Sequence, residues 1–322
     1  MVRNLSLFLL LILLFSCSNS VIHKRAKEHN LNAIKLINEN KLEMAEKHLE
    51  LALEYNKNYA EAYNNLGIIY LRQNKPEKAE RFFSLAIEYN SDFAEAHNNL
   101  GYIYLLKKDY KKAQQRFKSA LNIDPSFINA RLNLARSYII SGEIDKAESE
   151  LLKLKLLSGN EDVNSLLVNV YIKTGKISQG FALTDEMVAD EKMNSKGLYL
   201  RGFLNLTLNR CIDALTDFEK VEKMYSGLME FIVNYSAALI CVRNFEKAEN
   251  ILRKALEIQS DEPAVLFNLG KIEYEKKNFQ NAEIYFRKSY ESGFIPSCSY
   301  LVDTLFTLGR KDESIKISSS CK

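Results

Sequence analysis

Glycine and proline are scarce in this chain of 322 residues, at 12 and 4. A sandwich or barrel needs a turn signal roughly every 8–12 residues, and this sequence cannot supply them. An excess of one charge is also missing. The 44 basic and 41 acidic residues nearly cancel to +3, so no polycationic footprint points to nucleic acid. No phosphate-cradling glycine loop, nucleophile elbow, H-E-x-x-H or calcium-loop pattern occurs. All four histidines (His23, His29, His48 and His97) lie in the first third, and none has a second ligand four residues on. These absences predict no catalysis, no metal, no cofactor and no small-molecule substrate. What is present is 47% hydrophobic and 26% charged residues, enough for a real core and against wholesale disorder. The composition predicts helices, in two or three compact domains or one elongated array.

The first twenty residues, MVRNLSLFLLLILLFSCSNS, form a separate object. Arg3 and the amino terminus make a short positive region, and Leu5–Phe15 is apolar except for Ser6. That run is too short for the roughly 20 helical residues that span a bilayer, but it suits a secretory signal. The following Leu14-Phe15-Ser16-Cys17 resembles the lipobox of bacterial lipoproteins. The resemblance implies that residues 1–16 are removed, that Cys17 becomes the acylated first residue, and that 17–25 is a short tether. Ser18, where an Asp would resemble the inner-membrane retention signal, implies the outer membrane, facing the periplasm. Several acyl chains anchor stably where one is marginal. The alternative is an ordinary signal peptide with Cys17 incidental.

Beyond residue 25 the chain repeats itself, a signal to be read before any secondary structure. AEAYNNLGIIYLRQNKPEKAERFFSLAIEYNSDF (60–93) aligns without a gap on AEAHNNLGYIYLLKKDYKKAQQRFKSALNIDPSF (94–127), a period of 34. Position 8 of each unit is small, as in Ala33, Gly67, Gly101, Ala135, Gly202, Ser236 and Gly270. Position 20 is small as well, from Ala45, Ala79, Ala113 and Ala147 through Gly180 to Ala214, Ala248 and Ala282. Large residues such as Tyr63, Leu66, Tyr70 and Phe83 stand at positions 4, 7, 11 and 24. This pattern resembles the tetratricopeptide repeat. The resemblance implies an all-α, right-handed superhelical solenoid of about eight helix-turn-helix units, starting at 26, 60, 94, 128, 161, 195, 229 and 263, with a truncated ninth near 295. A stack of this kind buries its core between neighbouring units. The period slips by one residue near 158–161, and Val168, Arg201 and Asn205 then break the pattern. The sequence therefore divides into a regular block, 26–160, and a degenerate block, 161–322.

In such a solenoid helix A of each unit lines a concave groove through positions 2, 5, 6, 9, 12 and 13. Position 6 is Asn65, Asn99, Asn133, Asn234 and Asn268, with Asn64 and Asn98 at position 5. An amide offers both donor and acceptor, and this ladder resembles the one lining the superhelix of O-linked N-acetylglucosamine transferase. It reads either as a peptide-binding ladder or as the ordinary asparagine background of position 6. Between the amides lie Ile68, Leu71, Tyr102, Leu105, Ile139 and Ile140, which favour a partner helix or strand. No dense Lys/Arg cluster supports a carboxylate clamp, and His97 at position 4 reads as a packed ring. A lipobox ahead of an all-repeat chain resembles the pilotins of type IV pili, which implies a lipid-anchored, non-catalytic scaffold that assists secretin assembly. The other readings are a periplasmic adaptor for peptidoglycan hydrolases or proteases and a structural subunit of an outer-membrane assembly machine. In each the partner is another protein.

Setting Cys17 aside leaves Cys211, Cys241, Cys298 and Cys321, an even number in a compartment that is oxidising if the chain is exported. Four cysteines allow three connectivities. In the repeat frame Cys211 opens helix B of one unit and Cys241 closes helix A of the next, so their facing ends meet. Cys298 and Cys321 fall at the open ends of the last hairpin if Gly309 marks its turn. The frame predicts Cys211–Cys241 and Cys298–Cys321, against the alternative of four small buried thiols.

Overall fold

The computed structural model describes residues 23–157 and 161–321. The signal segment, Cys17 and the one-residue slip at 158–160 lie outside the described residues. Two compact units divide within one helix, between Val170 and Tyr171. The first holds α1 (23–38), α2 (Leu42–Tyr55), α3 (Ala60–Arg72), α4 (Pro76–Tyr89), α5 (Ala94–Leu106), α6 (Tyr110–Ile123), α7 (Ile128–Ser141), α8 (Ile144–Leu157) and the start of α9 (Glu161–Thr174). The second holds the end of α9, then α10 (Ile177–Ala189), α11 (Asn194–Thr207), α12 (Cys211–Tyr225), α13 (Met229–Cys241), α14 (Phe245–Ile258), α15 (Pro263–Glu275), α16 (Phe279–Glu291), α17 (Ser297–Thr307) and α18 (Lys311–Ser320). No strand occurs among the described residues. Each unit is a stack of helix-turn-helix repeats, the fold class the sequence predicts. Helix α1 already runs from residue 23, so the last three residues assigned to the tether are helical.

The turn inside each repeat has one backbone solution. Asn40, Asn74, Lys108, Gly142, Gly175, Asn209, Arg243, Lys277 and Gly309 all have positive φ, between 57° and 81°. Each sits at position 15 of its repeat. The left-handed residue lets the next backbone N–H reach back to the carbonyl at position 11, as Lys75 does to Tyr70 at 2.9 Å and Asn244 to Leu239 at 2.9 Å. That closes the end of helix A in the manner of a Schellman cap. Helix B then restarts with Pro76 at the first position of α4, or with a capping side chain such as Asp109, which accepts from the Lys112 N–H at 3.2 Å.

What fills the space between helices A and B is a matched pair of sizes. An ideal Cβ on Gly67, Gly101, Gly202 or Gly270 would lie 2.5, 2.6, 2.7 or 2.6 Å from the ring of Phe83, Phe117, Phe218 or Phe286 respectively. Position 8 is glycine where position 24 is phenylalanine. Where position 8 is Ala33, Ala135 or Ser236, position 24 is the smaller Leu49, Leu151 or Leu252, and all six are fully buried. The repeat whose position 8 is Val168 has Thr184 at position 24. Its departure from the small-residue rule is thus matched by a reduction at the facing position.

The second unit also resolves its other irregularities. Arg201 stands where an apolar residue is usual, but it donates from Nε and Nη2 to Asp217 at 2.9 and 2.8 Å and from Nη1 to Asp185 at 2.9 Å. The Asp217 bonds, ahead of Asp185, hold the guanidinium above its ordinary range. A bidentate pair of this kind offsets the desolvation of buried Asp217. Cys211 and Cys241 form one disulfide and Cys298 and Cys321 a second, each with Cα atoms 5.9 Å apart. This is the pairing the repeat frame predicts. The second bridge ties down α18, in which only Ser314 is buried.

Gly67→Ala is expected to destabilise the first unit by about 1–3 kcal/mol, because a close-packed core resists added volume. The double variant Gly67→Ala/Phe83→Leu recreates the Ala33/Leu49 pairing and should recover part of that loss in urea unfolding. No recovery would show that the size match is not what sets the cost. Removing the second bridge by Cys298→Ser/Cys321→Ser should cost the second unit about 2–4 kcal/mol. Non-reducing peptide mapping checks the pairing itself: four free thiols would show that the bridges do not form.

Candidate protein-binding face

The helix-A faces of α1, α3, α5 and α7 carry the candidate residues of the first unit. Their amides turn toward one another. Asn65 Nδ2 donates to Asn30 Oδ1 at 2.8 Å, Asn99 to Asn64 at 2.9 Å, and Asn133 to Asn98 at 3.0 Å. Every bond spans 35 residues, from position 6 of one repeat to position 5 of the repeat before. The second unit keeps the rule with other acceptors. Asn234 Nδ2 donates to the Tyr199 hydroxyl at 3.1 Å, and Asn268 to the Val233 carbonyl and Ser236 Oγ, both at 2.9 Å. Asn64, Asn65, Asn98 and Asn268 are buried. One donor of each position-6 amide is therefore committed between repeats, and only Asn99, Asn133 and Asn234 remain half-exposed.

The apolar candidates divide in the same way. Ile68 and Leu71 are half-buried and pack against the core clusters beside Leu66, Ile69 and Phe83. Leu105 and Ile139 are half-buried too. Tyr102 and Ile140 are exposed, at 38% and 56%. They are joined by Leu31, Ile34 and Leu106, which sequence reading did not single out and which are 55%, 38% and 50% exposed. These five occupy positions 6, 9 and 13 of the first, third and fourth repeats, so they form an apolar stripe on the helix-A face that is interrupted at the second repeat.

The histidines behave as two kinds. His97 is buried, with Nε2 3.0 Å from the Ser91 carbonyl, and burial lowers its pKa. It is a packed ring, as its position suggests. His29 and His48 were unpaired in sequence, yet their Nδ1 atoms lie 3.1 Å apart, and His29 stacks on Tyr55. Helices A and B of the first repeat bring together residues 19 positions apart, which an i+4 search cannot find. Among the described residues no group of three or more His, Cys, Asp or Glu side chains is placed to hold a metal ion, and no helix is long and apolar enough to cross a membrane.

These helix pairs, turns and inter-repeat bonds give both units the fold of a tetratricopeptide-repeat solenoid. Models of the tetratricopeptide repeat match residues 60–93, 82–115, 104–157 and 237–293. The matches pass over 158–236, where the residue pattern is most altered. Among solved structures the chain is similar to PilF of Pseudomonas aeruginosa, with 19% identity and a TM-score of 0.56 over 65% of this chain and 96% of that one. It is similar to PilW, described as a widely conserved type IV pilus biogenesis factor, with 17% identity and a TM-score of 0.55 over 64% and 96%. A chain of the APC/C hetero-tetramer Cut9-Hcn1 matches at 17% identity and a TM-score of 0.58, over 82% of this chain and 52% of that one. At these identities the likeness is one of fold. FK506-binding protein 59 of Drosophila melanogaster is 38% identical over 73 residues, which is 22% of this chain and 15% of that protein.

Asn99→Ala removes one rung and leaves the buried Asn64 oxygen without its partner. The expected loss is about 0.5–1.5 kcal/mol for the bond, with more for the stranded acceptor, read as a lower urea midpoint with helicity retained. An unchanged midpoint would return these amides to a role on the groove surface alone.

Proposed function

We propose that this protein is a non-catalytic scaffold, anchored by lipid to the outer membrane and facing the periplasm, that binds a segment of another protein on its helix-A face and assists secretin and type IV pilus assembly. The observation that carries the binding part is the stripe of Leu31, Ile34, Tyr102, Leu106 and Ile140. A monomeric surface rarely gathers large exposed apolar groups on the same face of three repeats unless something covers them. An amphipathic helix or extended strand fits a face of that periodicity. The pilus part is supported by the similarity in fold to PilF and PilW and by the lipobox-like Leu14-Phe15-Ser16-Cys17.

The anchor has a geometric consequence. From Cys17 to residue 23, where α1 is already helical, six residues reach at most about 20 Å. The first repeat, with its apolar Leu31 and Ile34, therefore works close to the membrane surface.

Cys17→Ala should leave the repeats folded and release the protein from the membrane fraction. Tight membrane association of that variant after a high-salt wash would overturn the lipid anchor. The same fractions, probed for secretin multimers, test the assembly role: multimers that form equally well without this protein would exclude it and leave the adaptor reading standing.

A further inference from the structure

In the first unit, position 4 of helix A meets position 23 of helix B, 19 residues further on, and the chemistry of that contact changes from repeat to repeat. In the second repeat it is Tyr63 on Phe82, stacked rings with centroids 6.4 Å apart. In the fourth it is an ion pair, Arg131 Nη1 to Glu150 at 2.6 Å. In the third, position 4 is His97 and position 23 is Arg116, so one imidazole stands beside a cation. The first repeat is the one that places two imidazoles there, His29 and His48.

The spacing of that pair is the spacing of two ligands on one ion. His29 Nδ1 and His48 Nδ1 are 3.1 Å apart. Two imidazole nitrogens at about 2.0–2.1 Å from a tetrahedral ion stand about 3.3–3.4 Å from each other, and at a right angle about 2.9 Å. The observed separation falls between the two. The rings are also held in place. Their planes are inclined by 38° with centroids 5.3 Å apart, and Tyr55 stacks on His29 at 5.7 Å and 11°. Tyr55 is itself covered by the Arg25 guanidinium, 5.7 Å from its centroid. Both histidines are half-buried, which leaves access for an ion and for the waters that complete its coordination. Two neutral imidazoles share a single proton here, one Nδ1–H donating to the other Nδ1. Moving that proton to Nε2 of the same ring frees both Nδ1 lone pairs for an ion, and no proton has to leave.

We propose that His29 and His48 chelate one divalent transition-metal ion through their Nδ1 atoms, zinc or its imidazole-binding neighbours nickel and copper. Water fills the remaining positions, so this is an open site with two protein ligands. It departs from the expectation of no metal, which rested on spacing along a single helix. The bound ion ties α1 to α2 in the first repeat, as the Cys298–Cys321 bridge ties the end of α18 to α17 in the last. The site is independent of what the helix-A face binds.

The test uses the full chain in detergent, stripped with a chelator, dialysed and titrated with zinc chloride alone. Calorimetry should show one equivalent bound, and zinc should raise the midpoint of thermal unfolding. His29→Gln and His48→Gln should each weaken binding about 10-fold or more and abolish that shift. His23→Gln, exposed and outside the pair, should leave both unchanged. Copper(II) gives a second readout on the unaltered chain: its paramagnetic resonance spectrum should carry coupling to two nitrogens, and to one in either variant. Circular dichroism confirms that the variants fold. No zinc bound by the unaltered chain, binding that survives either substitution in the pair, or copper coupled to a single nitrogen would overturn the proposal. None of these outcomes bears on the protein-binding face.

Discussion

The close approach of helix A to helix B within each repeat is the constraint from which the rest follows. A phenylalanine at position 24 occupies the space where a side chain at position 8 would be, so Gly67 faces Phe83 with no room for even a methyl group. Glycine in the middle of a helix costs backbone entropy. That cost is offset because the aromatic ring packs directly on the bare backbone and is fully buried. The hairpin formed this way has no core of its own beyond that contact. It needs a neighbour to cover its outer face, and stacking is the result. The exposed face of helix A is then left over as a surface repeated at constant spacing.

Much of this was legible in the residues. The period of 34, the small residues at positions 8 and 20 and the turn at position 15 fix the helix pairs, and the pairs bring Cys211 to Cys241 and Cys298 to Cys321. The interactions between side chains were less legible. The asparagines of position 6 read either as a peptide-binding ladder or as the ordinary background of that position, because a single repeat shows them as polar residues on an open face. Their partners stand one repeat earlier and one position back. The pairs Asn30/Asn65, Asn64/Asn99 and Asn98/Asn133 were visible in sequence only to a search at spacing 35 rather than 34. Val168 and Arg201 looked like decay of the pattern for a similar reason. Each is matched elsewhere in the sequence, by Thr184 in size and by Asp217 and Asp185 in charge, so they break a rule about single positions while keeping one about pairs.

Polarity is distributed differently along the chain. In the first unit the helix-A face alternates amides, bonded from repeat to repeat, with exposed aliphatic groups. Toward the end of the second unit Tyr300 takes position 6 and Lys271 takes position 9, so rings and a cation stand where amides and aliphatics were. Stability across the repeats is therefore carried by different means. The first unit has uniform Asn–Asn rungs, and the second keeps rungs with other acceptors and adds an ion triad, two disulfides and tilted or edge-to-face ring contacts. A repeated fold tolerates such local substitution because each repeat answers chiefly to its immediate neighbours.

The rungs also have a direction. In each of them the donor lies on the later repeat and the acceptor on the earlier one, from Asn65 to Asn30 through Asn268 to Val233. A chain that emerges N-terminus first always has the acceptor in place before the donor appears. Each new helix A finds its partner waiting on the repeat already formed, and its second helix can close over it at once. The array is thus suited to assembling vectorially as it is synthesised. What is left open at the growing end at any moment is one amide acceptor and one outer helix face, both covered by the next repeat rather than by a distant part of the chain.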